Sequence, residues 1–107
     1  MPAFLVGQIR VHDQAKWSEY VAGVAKSLEP LGADAEIVMR GSKLTTLAGS
    51  PLVAPTGAPL DTVVVLKFKD VATLETWFHS ELYQAIIPLR DSAASVTITT
   101  YEAQASL

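Results

Sequence analysis

The sequence predicts an α+β domain in the order β-α-β-β-α-β, with a four-stranded antiparallel sheet and its helices on one face. Three observations carry the prediction. Four runs, starting at Ala3, Ala35, Thr62 and Val96, read as strands. Two runs place apolar residues at helical spacing, each opened by an aspartate. The two kinds of run alternate in that order along the chain.

Each element follows from its residues. In the strand Ala3 to Val11, Leu5, Ile9 and Val11 share a face with Gly7, and Phe4 and Val6 share the other with Gln8 and Arg10. Asp13 is the expected N-cap of a helix in which Trp17, Tyr20, Val21, Val24 and Leu28 recur on one side. Pro30 and Gly32 stop it. Ala35 to Leu47 is extended around Ile37, Val38, Met39, Leu44 and Leu47, with Gly41-Ser42 as an interruption. A tight hairpin fits, and so does one long strand bulged at the glycine. Residues 48–61 form a loop, with three prolines and two glycines between Gly49 and Pro59. Loops of that length are often functional or mobile.

Thr62 to Lys69 is a strong strand carrying Val63, Val64, Val65, Leu66 and Phe68. Asp70 caps a second helix with Leu74, Trp77 and Phe78. Glu81 to Ala94 is a further helical stretch, capped by Ser80 and bent or broken near Pro88. The closing strand alternates Val96, Ile98 and Thr100 against Thr97, Thr99 and Tyr101. Residues 103–107 read as a frayed tail, and 1–107 as one domain.

This order is the split βαβ arrangement of ferredoxin-like folds. Two helices cover only one face of such a sheet, so the other should be polar. It is apolar instead: Phe4 and Val6 oppose Leu5 and Ile9, and Val63 and Val65 oppose Val64 and Leu66. Strands apolar on both faces need cover on both. At ~25 cal/mol per Å² of apolar surface, burying that face is a large drive for a small domain. The expected partner is a second copy of the chain, sheet against sheet about a two-fold axis.

Composition narrows the function. Half of the residues are hydrophobic and 18% are charged, which is too apolar for disorder. The net charge is -3 and the eight basic residues are scattered, whereas a nucleic-acid partner calls for a basic stripe. The absence of cysteine excludes disulfides, thiolate metal sites and a thiol nucleophile. The N-terminus lacks a signal peptide's basic region, and no run approaches the ~18 apolar residues of a membrane span. The expectation is a cytoplasmic protein with no membrane or nucleic-acid partner. His12 and His79 are the two histidines and stand far apart, so no metal-ligand spacing occurs. No phosphate-loop or dinucleotide glycine spacing and no nucleophile elbow occurs either. Neither a metal nor a cofactor is expected.

One stretch concentrates the chemistry: Trp77-Phe78-His79-Ser80-Glu81-Leu82-Tyr83, followed by Pro88-Leu89-Arg90. Together with Asp13, Tyr20, Arg40-Gly41 and Phe68, it resembles the dimeric α/β-barrel superfamily, and within it domain-of-unknown-function family 1330. The resemblance runs from about Ala3 to Glu102. It departs where that family usually has a proline after the serine and a glutamate before the tyrosine, here Glu81 and Leu82. It implies a dimeric α/β barrel built on a ferredoxin-like sheet. The superfamily includes cofactor-free monooxygenases, lactone isomerases, haem enzymes and members with no assigned chemistry.

The residues themselves nominate a site. His79 can move a proton near neutral pH; the plain alternative is a histidine favoured by a helix C-terminus. Arg40 follows the apolar Ile37-Val38-Met39 and can clamp a carboxylate or enolate. Arg90 can do the same or pair with Glu81 or Asp91. Tyr20 and Tyr83 offer hydroxyls, or pack in the core. Glu81 binds a ligand or serves a helix start. The expected cleft lies between sheet and helices near Arg40, His79 and Tyr83. His79 and Arg40 are its catalytic pair, and Tyr83, Tyr20, Arg90 and Glu81 bind the ligand. The function expected is cofactor-independent proton transfer on a small carbonyl, phenolic or carboxylic compound. The alternatives are a non-catalytic small-ligand-binding or stress-associated dimer, and a purely structural dimer.

Overall fold

In chain order the elements are β1 (Ala3–Val11), α1 (Gln14–Leu28), a 3₁₀ segment (Glu29–Asp34), β2 (Ala35–Ser42), β3 (Thr62–Phe68), α2 (Val71–Phe78), α3 (Glu81–Gln84), α4 (Ile87–Ala93) and β4 (Ala94–Glu102). They come from a computed structural model that describes residues 1–105. The strands lie in the order β2-β3-β1-β4, each antiparallel to its neighbour. This is the ferredoxin-like α+β fold that the sequence predicts.

Local chemistry starts α1, α2 and α3 where expected. Asp13 accepts from the Lys16 amide at 3.0 Å, Asp70 from the Thr73 amide at 2.8 Å, and Ser80 from the Tyr83 amide at 3.3 Å. These side chains satisfy N–H groups that a helix start leaves unpaired. The stretch after Ser80 divides at Ala85-Ile86 into α3 and α4, and Pro88 sits in the first turn of α4, where its missing N–H costs nothing.

Burial along β1 alternates strictly, with Ala3, Leu5, Gly7 and Ile9 beneath the helices. Those positions build the core with Tyr20, Leu28, Leu66, Phe68, Leu74, Trp77 and Tyr83. The Trp77 indole donates to the buried Ser27 hydroxyl at 2.9 Å, so its one polar atom is satisfied. The other face of the sheet is open. Cross-strand register places Val6 beside Val65 and Thr99, Phe4 beside Lys67 and Tyr101, and Met39 beside Val65 on that face. Met39 and Tyr101 are 48% and 56% exposed.

Two expectations about the middle of the chain are corrected. β2 ends at Ser42, not Leu47, because pairing with β3 closes with the Lys43 amide donating to the Asp61 carbonyl at 2.7 Å. Beyond it, Leu44 and Leu47 are 98% and 94% exposed. The irregularity in β2 falls between Ile37 and Met39, not at Gly41. The loop is also partly ordered. The Ala54 amide donates to Ala58 and Gly57 to Ala54, a turn that Gly57 makes at φ 88°, and the Leu60 amide donates to Leu52. In the expected tail 103–107, the Ala103 amide donates to the Pro2 carbonyl at 2.9 Å, and residues 106–107 lie outside the described residues. No described helix is long and apolar enough to cross a membrane.

Candidate functional site

A cleft of about 80 Å³ opens between α1 and the helix-facing side of the sheet. Gly7, Val64 and Ile98 lie on the sheet side, and Trp17, Tyr20 and Val24 on the helix side. Apart from the indoles, the polar side chains on its wall are those of Tyr20, Arg40 and Thr62. Two wider depressions, of about 400 and 460 Å³, flank the 43–60 loop, and neither contains a candidate residue.

The bulge in β2 brings Arg40 here. Ile37 pairs with Leu66 and Arg40 with Val64, both on the helix-facing side. Residues three apart on a regular strand face opposite ways. The extra residue, Val38, turns Arg40 back to the side that Ile37 occupies. Arg40 is exposed at the mouth of the cleft and makes no ion pair among the described residues.

The floor is opened by Gly7. It faces Val64 on one neighbour strand and Ile98 on the other. A Cβ there would stand 3.0 Å from a Val64 methyl. A glycine isolated within a strand marks close approach of backbone or ligand, and Gly7 among the apolar residues of β1 carries that signal in the sequence.

Tyr20, Tyr83 and Arg90 meet behind the cleft wall. The Tyr20 and Tyr83 hydroxyls are 2.8 Å apart, and Arg90 Nη1 donates to Tyr83 Oη at 3.0 Å. Gly23, one turn beyond Tyr20, lets the α3–α4 junction approach α1: a Cβ on it would come within 3.0 Å of Ile86. Trp77 and Phe78 hold the Tyr83 ring, with centroids 4.4 and 5.2 Å away. Burial pushes the Tyr20 phenol far above its ordinary pKa, and Tyr83 adds to the rise, so Tyr20 stays protonated. Burial alone would lower the Arg90 guanidinium, but its bonds to Tyr83 and Asp91 outweigh that and hold it above its ordinary value.

The structure therefore gathers the candidates unevenly. Tyr20 and Arg40 line the cleft; Tyr83 is fully buried and stands behind Tyr20; Arg90 stands behind Tyr83 and pairs with Asp91 at 3.1 Å. His79 and Glu81 are exposed and line none of the cleft. The expected meeting of His79 with Arg40 is thus corrected. α2 buries Leu74 and Trp77, and His79, its C-cap two residues later, turns outward with its ring edge-on to Phe78. Glu81 occupies the first turn of α3, the place its helix-start reading gave it. Among the described residues, no three His, Asp or Glu side chains are grouped so as to hold a metal ion.

Residues 2–104 match the model of a domain of unknown function, DUF1330. The chain belongs to the DUF1330 family. Several solved structures share the fold of this DUF1330 chain. A protein of unknown function from Rhodopseudomonas palustris is 16% identical with a TM-score of 0.74, over 96% of this chain and 82% of that one. SnoaB, a cofactor-independent oxygenase from Streptomyces nogalater, is 11% identical with a TM-score of 0.63, over 99% and 96%. A dimeric ferredoxin-like protein of unknown function from Thermobifida fusca is 12% identical with a TM-score of 0.61, over 96% and 92%. No curated protein matches this DUF1330 chain.

Proposed function

We propose that the cleft binds a small, mostly apolar compound through one acceptor oxygen, of a carbonyl, phenolic or carboxylic group. The supporting observation is the make-up of the wall. It is mostly aliphatic and aromatic; Arg40, a pure donor, lines it with Tyr20 and Thr62, and among the described residues no carboxylate or imidazole does. Such a site favours an oxygen that accepts, above all one carrying negative charge.

Donors aimed at an oxygen are also what stabilises an enolate during proton transfer. That supports a second reading, a cofactor-independent enzyme, and the likeness of the fold to a cofactor-independent oxygenase agrees with it. His79 has no part in either reading, because it stands outside the cleft. Two copies packed through the open sheet faces would cover Phe4, Val6, Val63 and Val65 and leave each cleft on the outer, helical side. The dimeric ferredoxin-like protein from Thermobifida fusca, of similar fold, supports a dimer.

A thermal-shift screen of small aromatic acids, phenols and ketones tests the binding. A compound at 100 times its Kd stabilises by about 2.7 kcal/mol. The expected result is a shift for at least one class, lost in Tyr20→Phe and Arg40→Gln. No shift with any class, or shifts that both variants keep, would sink the reading. Solvent deuterium entering the carbon next to the carbonyl of a bound ketone, read by NMR, separates enzyme from binder.

A further inference from the structure

We propose that Arg90 and Tyr83 act through Tyr20 as a one-way hydrogen-bond relay that sets the cleft to receive an anionic oxygen, of the phenolate or enolate class. The proposal rests on the cleft being the binding site and says which form of the compound it selects.

The direction of the relay follows from counting protons. A guanidinium only donates, so Tyr83 Oη is the acceptor in the 3.0 Å contact with Arg90. Tyr83 is fully buried, and among the described residues its hydroxyl has one other partner, the Tyr20 hydroxyl at 2.8 Å. If Tyr20 were the donor in that contact, the Tyr83 proton would be left in the core with no acceptor. With Tyr83 as the donor, the one unpaired proton falls instead on Tyr20. The Tyr20 proton is then the open end. No described residue accepts it, and of the three only Tyr20 lines the cleft.

The charge sits at the far end. The Arg90 side chain is 16% exposed and therefore weakly screened. Each bond in the series polarises the next, so the Tyr20 hydroxyl donates more strongly than an isolated phenol. Tyr83 and Arg90 are thus positioning residues. They touch no ligand and tune the one that does. This also accounts for two polar side chains spent behind an apolar wall.

The test uses 4-nitrophenol, whose absorbance separates phenol from phenolate, and nitrobenzene as a probe without the hydroxyl. The wild-type protein is expected to bind the phenolate about tenfold tighter than the phenol, seen as a bound pKa about one unit below the free one. Arg90→Met, which leaves both phenols in place, should reduce that preference about tenfold while nitrobenzene affinity changes less than about twofold. Tyr83→Phe should do the same. An unchanged phenolate preference in Arg90→Met overturns the relay and leaves the binding reading intact. An equal loss for both probes also overturns it, because that is the mark of a merely structural role. If the wild-type protein binds neither probe, the relay falls, and the binding reading falls with it where the thermal-shift screen finds no ligand.

Discussion

Tyr20 and Tyr83 join hydroxyls at 2.8 Å across 63 residues of sequence, and this bond ties the first helix to the third. Its asymmetry has a consequence for stability. Tyr20→Phe removes the acceptor of a proton that lies wholly inside the protein. Tyr83→Phe takes a donor from the Tyr20 oxygen and an acceptor from Arg90, which keeps its bond to Asp91. An orphaned buried donor costs about 1–3 kcal/mol. Tyr20→Phe should therefore cost at least as much as Tyr83→Phe, although Tyr83 is the more buried residue. The double variant should cost less than the sum, with a coupling of about 0.5–3 kcal/mol. Urea unfolding of the four proteins measures both. A markedly larger loss for Tyr83→Phe would reverse the inferred direction of the bond.

What the sequence made legible, and what it hid, follows from the range of the interaction. Asp13, Asp70 and Ser80 each cap an amide three residues on, so the starts of α1, α2 and α3 could be read locally. The alternation in β1 and β3 revealed two apolar faces for the same reason. The bulge at Val38 was misplaced to Gly41 because a register shift depends on the partner strand. His79 was overrated because its direction depends on where α2 stops. The Tyr20, Tyr83 and Arg90 group was named residue by residue but not as a unit, since only the packing of α1 on the α3–α4 junction brings it together.

The open sheet face predicts the assembly. Val65 sits near its middle, opposite Val6 on one strand and Met39 on the other. Light scattering should give twice the 11.4 kDa of one chain. Val65→Asp would place an unpaired charge in the sheet-to-sheet contact and should yield a mass of one chain at the same concentration. A wild-type mass of one chain would remove the dimer.

Acid should loosen α2 in a defined sense. Asp70 accepts from the Thr73 hydroxyl at 2.6 Å and from the Thr73 amide at 2.8 Å. The hydroxyl bond first and the amide bond second favour the charged carboxylate and hold its pKa below the ordinary value. The cap's ionic contribution is therefore complete above the unfolded value, near 3.9, and is lost as pH falls through the lower folded value. Asp70→Asn keeps an acceptor but does not titrate. Melting curves from pH 6 to pH 2.5 should show the wild-type advantage shrinking only below about pH 4. An advantage that is constant with pH would count against this role.

Gly7 offers the sharpest separation of binding from folding. It stands on the cleft floor at the centre of β1, where a glycine costs strand stability and packs nothing. A methyl there would enter the cleft and meet a Val64 methyl at 3.0 Å. Gly7→Ala should weaken any compound that fills the cleft about tenfold, or about 1.4 kcal/mol. The backbone entropy it removes from the unfolded chain offsets part of the crowding. Adding Val64→Ala takes away the crowded methyl and should restore most of the affinity. Titration of the compounds found by thermal shift decides it, with melting temperatures run alongside. Equal affinity in wild type and Gly7→Ala would move the binding site away from this cleft.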